Sequence, residues 1–275
     1  MAKGTQLSGT TCVVTGAGSG IGRALATRLS RSGSPVAICD WNEDGLAQTA
    51  EMLDGEVLSR KLDVSDRHAV MAYAAEVKEW APAPLGAIVN NAGVTVSQMI
   101  EDTAPEDDEW VFNVNYWGVV YGTSAFLPIL REQSSGAIAN ISSVFGLIGW
   151  PSQSAYCASK HAVRGYTESL RHELRDTGVS AHCIHPGGIA TNIVRNARFH
   201  ADDVGNTDRT VLEDQFDRVA RTSPEQAAET IVNGIERGRP RILIGPDAHM
   251  LAGLIRSLPA RYYDVIKRLE PIVRR

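Results

Sequence analysis

The stretch Thr10-Thr11-Cys12-Val13-Val14-Thr15-Gly16-Ala17-Gly18-Ser19-Gly20-Ile21-Gly22 decides the fold. An apolar, β-branched run leads into a glycine-rich turn, and a helix-forming segment follows. A dinucleotide fingerprint requires that context. Gly16 permits the tight turn, Gly20 lets backbone approach a pyrophosphate, and Gly22 lets helix and strand pack closely. The helix N-terminus then presents free N–H groups to phosphate. Gly16, Ser19, Gly20, Ile21 and Gly22 are therefore candidate cofactor contacts. A flexible turn uses the same residues, so the rest of the chain has to decide.

Outward from this unit, short β-branched runs alternate with helical segments. Strands are expected at 10–15, 35–39, 57–62, 86–90, 136–142, 179–184 and 241–244. Helices are expected at 20–31, 43–53, 66–79, 105–131, 154–176 and 224–237. Runs such as Cys12-Val13-Val14 and Gly86-Ala87-Ile88-Val89 are apolar on both faces, as buried parallel strands are. Repeated βα units imply an α/β fold, a three-layer doubly wound parallel sheet of about seven strands with helices on both faces. No linker, composition break or internal repeat divides residues 1–275, so one domain is expected.

Composition narrows the function classes. The chain has 275 residues, 43 % of them hydrophobic, with a net charge of −5. A mildly acidic chain gives no electrostatic case for binding nucleic acid. The start, Met-Ala-Lys-Gly-Thr-Gln, lacks the apolar core of a signal peptide, and no apolar run has the length of a membrane span. Cys12, Cys39, Cys157 and Cys183 form no CxxC and read as reduced, packed thiols in a cytoplasmic protein. The histidines show no HExxH or clustered spacing, so no metal site is expected. His185 reads as structural, and His161 as packed or solvent-facing.

Three strand ends carry candidate cofactor ligands. Asp40 ends the second strand, 18 residues after Gly22. A carboxylate there can accept both adenosine ribose hydroxyls and repels a 2′-phosphate. Trp41, not a basic residue, follows it, which favours NAD over NADP. The alternative is that Asp40 caps the next helix. Asp63-Val64 ends the third strand, where an acid can accept from an adenine amino group; helix capping is its rival, since Ser65-Asp66 are also cap residues. Asn90-Asn91-Ala92-Gly93 ends the fourth. Its small residues would let backbone lie against a cofactor, or its Asn side chains stitch neighbouring strands.

Tyr156 and Lys160 lie four residues apart in a helical segment and so share a face. A free phenol titrates near pH 10. A positive charge about 4 Å away is worth roughly 4 kcal/mol at an effective dielectric of 20, enough to bring phenol proton exchange towards neutral pH. On its own the pair is equally an exposed Tyr and Lys on an ordinary helix.

The motifs occur together and in order: TGxxxGxG at 15–22, NNAG at 90–93, NxxG at 115–118, Ser142-Ser143, YxxxK at 156–160 and Pro186-Gly187. Over residues ~8 to ~245 the chain resembles the short-chain dehydrogenase/reductase family. The resemblance implies roles. Tyr156 is the general acid/base. Lys160 lowers the Tyr156 pKa and holds the nicotinamide ribose. Ser143, 13 residues before Tyr156, bonds the substrate oxygen, with Ser142 the second candidate. Asn115 holds a water on Lys160 in a proton relay. Asn90, Ala92 and Gly93 line the cofactor. Pro186, Gly187, Ile189 and Thr191 pack on the nicotinamide and bind its carboxamide.

The implied reaction is NAD(H)-dependent interconversion of an alcohol and a ketone or aldehyde, needing no metal. Rival readings are an NADP-dependent carbonyl reductase, an epimerase or dehydratase of the extended branch, and a non-catalytic NAD(H)-sensing protein. The last usually lacks the active-site Tyr or Lys, which this chain retains.

Segments 94–100, 144–151 and 188–221 should surround the substrate. Phe145, Leu147, Ile148 and Trp150 read either as an apolar wall for a hydrophobic alcohol or ketone or as core or interface packing. The segment 188–222 reads as a lid that contains short helices and orders on binding. The tail, 246–275, departs from the commoner family ending. Met250, Leu251, Leu254, Ile255 and Leu258 give it an amphipathic spacing, and Arg256, Arg261, Lys267, Arg268, Arg274 and Arg275 make it basic. It is expected over the substrate entrance or a partner subunit, in a homodimer or homotetramer, with a membrane surface as the alternative.

Overall fold

The computed structural model describes residues 4–273; Arg274 and Arg275 of the basic tail, like the first three residues, lie outside them. Seven strands form one parallel sheet: β1 (Thr11–Thr15), β2 (Val36–Asp40), β3 (Val57–Lys61), β4 (Leu85–Asn90), β5 (Gly136–Ile141), β6 (Val179–Pro186) and β7 (Arg241–Ile244). Their spatial order is β3-β2-β1-β4-β5-β6-β7. Every expected strand is present, with no end moved by more than two residues. The order reverses between β1 and β4, and a crevice opens at the carboxyl ends of strands at such a switch point.

The both-face apolar character of the strands has the expected cause. Val14, Ile38, Val89 and Ile184 pack on one side with α1 (Gly20–Arg31) and α8 (Pro224–Glu236), through Leu25 and Ile231. Val13, Ile88 and Ile138 pack on the other with α3 (Arg67–Trp80), α5 (Gly118–Gln133) and α6 (Ser154–Glu173), through Val70, Phe126 and Leu170. Burying each such side chain stabilises by roughly 1.5–3 kcal/mol. Cap residues set the helix starts. Asp66 accepts from the N–H groups of His68 and Ala69, and Ser223 and Gln226 close a capping box on α8. The four cysteines are unpaired and buried, and burial raises each thiol pKa.

One expectation is corrected. The helix expected over 105–131 is α4 (Pro105–Phe112) and α5 joined by a π-helical turn, Asn113–Trp117. The extra residue in such a turn marks functional sites more often than ordinary helix, and Asn115 lies in it. The 188–222 segment is tied to the body of the fold. Its Arg198–Phe199 pairs in parallel with Val96–Ser97, and α7 (Arg209–Val219) follows. Arg198 stacks on Trp110, 3.9 Å from the ring centroid, and bonds Asp107 at 2.9 Å, while His200 reaches the same carboxylate at 2.8 Å. The remaining helices are α2 (Glu43–Ala50), α9 (Pro246–Ser257) and α10 (Tyr262–Val273).

Candidate active site

The glycine turn brings the ends of β1 and β4 together. Gly16 has φ +65°, and a Cβ there would lie 2.7 Å from Ala92 Cα, so only glycine fits. Asn91 fastens the junction: its Nδ2 donates to Thr15 O at 2.9 Å and Gly16 O at 3.0 Å, while its N–H donates to Thr15 Oγ1 at 3.0 Å. A Cβ on Gly22 would lie 2.1 Å from Gly16 O, the close helix–strand packing expected of it. The Thr191 methyl stands 3.0 Å from where a Cβ on Gly20 would be. The loop that carries Thr191 thus overhangs the glycine turn.

Asp40 is buried and has two partners. Its Oδ2 accepts Gly18 N–H at 2.8 Å and its Oδ1 accepts Asn42 N–H at 2.9 Å. It does not cap α2; Asn42 does, accepting from Gly45. Arg23 secures the other side of the turn, donating to Thr49 Oγ1 at 2.9 Å, Gly45 O at 3.1 Å and Gly18 O. Asp63 is exposed and holds Ser65, and the cap of α3 is Asp66. Val64 is buried against Gly118. For Asn90 the structure shows the strand-stitching role. Its side chain lies in the core and donates to Asn140 Oδ1 at 2.8 Å. It stitches strands, and only its backbone remains for a cofactor.

Tyr156 and Lys160 begin α6, one turn apart. Lys160 is buried, donates to Ile141 O at 3.0 Å, and lies 5.6 Å from the Tyr156 ring centroid. Burial disfavours a charged form. It therefore pushes Lys160 down to about 8 and the Tyr156 phenol up to about 12, the latter partly offset by the Ser143 hydroxyl.

Ser143 is the serine that meets the phenol. Ser142 is turned inward and donates to Lys160 O at 2.8 Å. His185 supports Ser143 structurally, donating Nδ1–H to its carbonyl at 2.9 Å, and burial keeps the imidazole neutral with its pKa pushed down to about 4. His161 is exposed. The Asn115 amide bonds Val94 N–H (2.8 Å), Val94 O (2.9 Å) and Ser159 Oγ (3.0 Å). It fixes α6 against the Gly93–Val94 turn. A Cβ on Gly93 would come within 3.2 Å of Asn115 Oδ1 and 3.3 Å of Lys160 Nζ.

The loop Pro186–Thr191 is held from three sides. Gly187 N–H donates to Ile244 O at 2.9 Å, Ala190 N–H to Thr222 O at 3.0 Å, and Gly188 N–H to Asp247 Oδ2 at 2.7 Å. The sequence reading missed Arg23 and Asp247. Asp247 stands in the first turn of α9, and the only signal it gave was that of a helix start.

The profile described as short chain dehydrogenase matches residues 10–202. The chain belongs to the short-chain dehydrogenase family. It is 43 % identical to SadH of Mycobacterium tuberculosis over 268 residues, covering 95 % of each protein. A short-chain dehydrogenase/reductase of Burkholderia phymatum, crystallised with NAD, superposes with a TM-score of 0.81 at 30 % identity over 96 % of both chains. A short-chain dehydrogenase of Burkholderia cenocepacia, crystallised with NADP, gives 0.76 at 25 % identity, covering 96 % of this chain and 98 % of its own.

As in other short-chain dehydrogenases, the crevice suits a nicotinamide cofactor. In this chain Gly16 and Gly20 have positive φ and lie so close to Ala92 and Thr191 that no side chain fits, which leaves the bare backbone turn at the head of α1 that a pyrophosphate requires. Among the described residues no cluster of side chains could hold a metal ion, and no helix is long and apolar enough to cross a membrane.

Proposed function

We propose that this short-chain dehydrogenase interconverts a secondary alcohol and a ketone, or an aldehyde carbonyl, on a hydrophobic substrate, using NAD(H). The observation that carries the reading is the convergence of Ser143, Tyr156 and Lys160 beside the glycine cradle. Gly16, Ser19, Gly20, Ile21 and Gly22 would hold the pyrophosphate, Asp40 the adenosine ribose, Asp63 and Val64 the adenine. Ala92, Gly93, Lys160, Pro186, Gly187, Ile189 and Thr191 would hold the nicotinamide half. When bound, the nicotinamide supplies or accepts the hydride.

The chain's own residues handle the proton. Tyr156, protonated at neutral pH with its pKa near 12, donates to the carbonyl oxygen in reduction and takes the hydroxyl proton in oxidation. Ser143 donates a hydrogen bond where charge develops on that oxygen. Lys160, at about 8, carries a positive charge beside the phenol at neutral pH and favours its anionic form in the turnover.

Asp40 supports NAD over NADP because a buried carboxylate repels a 2′-phosphate. The NADP-bound relative from Burkholderia cenocepacia keeps NADP-dependent carbonyl reduction as the second reading. We read the chain as one domain, and the reduced thiols accord with a cytoplasmic setting. Self-association as a dimer or tetramer is supported by an aromatic face: Trp117, 42 % exposed, stacks on Tyr121, and Tyr116 packs against Tyr166 of α6. Sedimentation of a Trp117→Glu variant tests it, with a monomeric variant and an oligomeric parent expected. The function itself is tested by following NADH absorbance with secondary alcohols, sterols, retinoids and diols. Turnover of apolar secondary alcohols is expected, and absence of turnover with both cofactors would remove the reading.

A further inference from the structure

The apolar wall beside the catalytic phenol does not end with residues 144–151. Phe145 meets the Tyr156 ring edge-on at 6.1 Å, and Trp150 stacks on Phe145 at 6.1 Å. The next ring comes from the C-terminal helix: Tyr263 of α10 meets Trp150 edge-on at 5.7 Å. Its neighbour Tyr262 accepts Gly149 N–H on its hydroxyl at 2.8 Å, which fixes the loop that carries Trp150. The same helix reaches the lid, where Lys267 lies 3.6 Å from Asp203. Four rings thus run from the reacting oxygen to a helix beyond the stretch that the family profile matches.

Trp150 also lines a cavity of about 400 Å³, with Met99, Ile100 and Pro151 as its other apolar walls and Glu101, Ser152 and Ser154 at its polar edge. Ile100 is 77 % exposed. A single exposed apolar residue needs no explanation. Several around one cavity, joined through Trp150 to an aromatic row that starts at the catalytic phenol, form a surface that binds hydrocarbon.

We propose that α10 completes the substrate site: Trp150, held by Tyr263, forms with Met99 and Ile100 an apolar subsite for the hydrocarbon part of the alcohol or ketone, so the enzyme selects long-chain over short-chain substrates. The subsite rests on the alcohol–ketone reading of Tyr156 and Ser143. It places a determinant of specificity on the C-terminal helix, where the catalytic motifs give no hint of one.

The test is a homologous series of 2-alkanols and 2-ketones from four to twelve carbons, assayed with NAD(H) and NADP(H). In the parent, kcat/KM should rise by about fourfold per methylene until the subsite is filled. In Tyr263→Ala the ratio of twelve-carbon to four-carbon kcat/KM should fall at least tenfold. Ile100→Asp, at a surface position that leaves the core untouched, should lower the same ratio and so covers the case that Tyr263→Ala does not fold. A parent indifferent to chain length, or an Ile100→Asp variant that keeps the parental ratio, would overturn the subsite alone. Absence of turnover across the whole series with both cofactors would overturn the reading beneath it as well.

Discussion

The Asp247 carboxylate accepts the backbone N–H of Gly188 at 2.7 Å, across 59 residues of sequence. It lies in a notch of glycines, where a Cβ on Gly187 would be 2.1 Å, and one on Gly245 2.5 Å, from its oxygens. The first turn of α9 is thereby joined to the loop expected to hold the nicotinamide. Loss of a hydrogen bond to a charged group costs roughly 1.5–3 kcal/mol. Asp247→Ala should therefore raise KM for NAD by about tenfold or more, with a smaller effect on KM for the alcohol. Asp247→Asn keeps an acceptor oxygen and should restore most of the affinity. Equal loss in both variants, tracking a drop in Tm, would make Asp247 only a part of the helix start.

Lys160 should be stabilising to remove. Its folded pKa of about 8 lies below the usual lysine value, so at pH 7 the native state carries a proton that burial disfavours. Lys160→Met should raise stability at pH 7 by up to about 3 kcal/mol, less the lost bond to Ile141 O, while turnover falls by orders of magnitude. The sign follows from linkage. Between pH 8 and 10.5 the unfolded chain binds the proton and the native chain does not, so the parent gains stability as pH rises. The advantage of the variant should shrink over that window. Thermal unfolding at pH 7 and pH 9.5 checks it, and an advantage that grows with pH would refute the burial argument.

Asp40→Ala should relax the preference for NAD over NADP. It should also loosen the glycine turn, because Gly18 N–H loses its partner. The measurement is the ratio of kcat/KM values for the two cofactors. A ratio equal to that of the parent would remove Asp40 from cofactor choice and leave it only the turn.

The fold was legible because its signals are local. Strands such as Cys12-Val13-Val14 are apolar on both faces, and several helices begin at a cap or proline. The structure brings Ser143, Tyr156 and Lys160 together, and it gives the Asn90 side chain the strand-stitching role. What was not legible depends on three-dimensional neighbours. Nothing in Asn113-Val114-Asn115-Tyr116-Trp117 distinguishes a π turn from ordinary helix, so the amide of Asn115 could not be seen to bond Val94 and Ser159. Spacing put Lys160 beside Tyr156, but the balance of charge and burial that sets their pKa values is a property of the packed site. Asp247 and Tyr263 act on partners more than fifty residues away.

The most direct test of the account is Tyr156→Phe, assayed for alcohol oxidation and carbonyl reduction alongside NADH binding by fluorescence. The ring and its contact with Phe145 persist and only the hydroxyl is lost. The account predicts turnover reduced by at least a thousandfold, on the order of a full acid/base contribution, with NADH bound as in the parent. Turnover at the parental rate would contradict it.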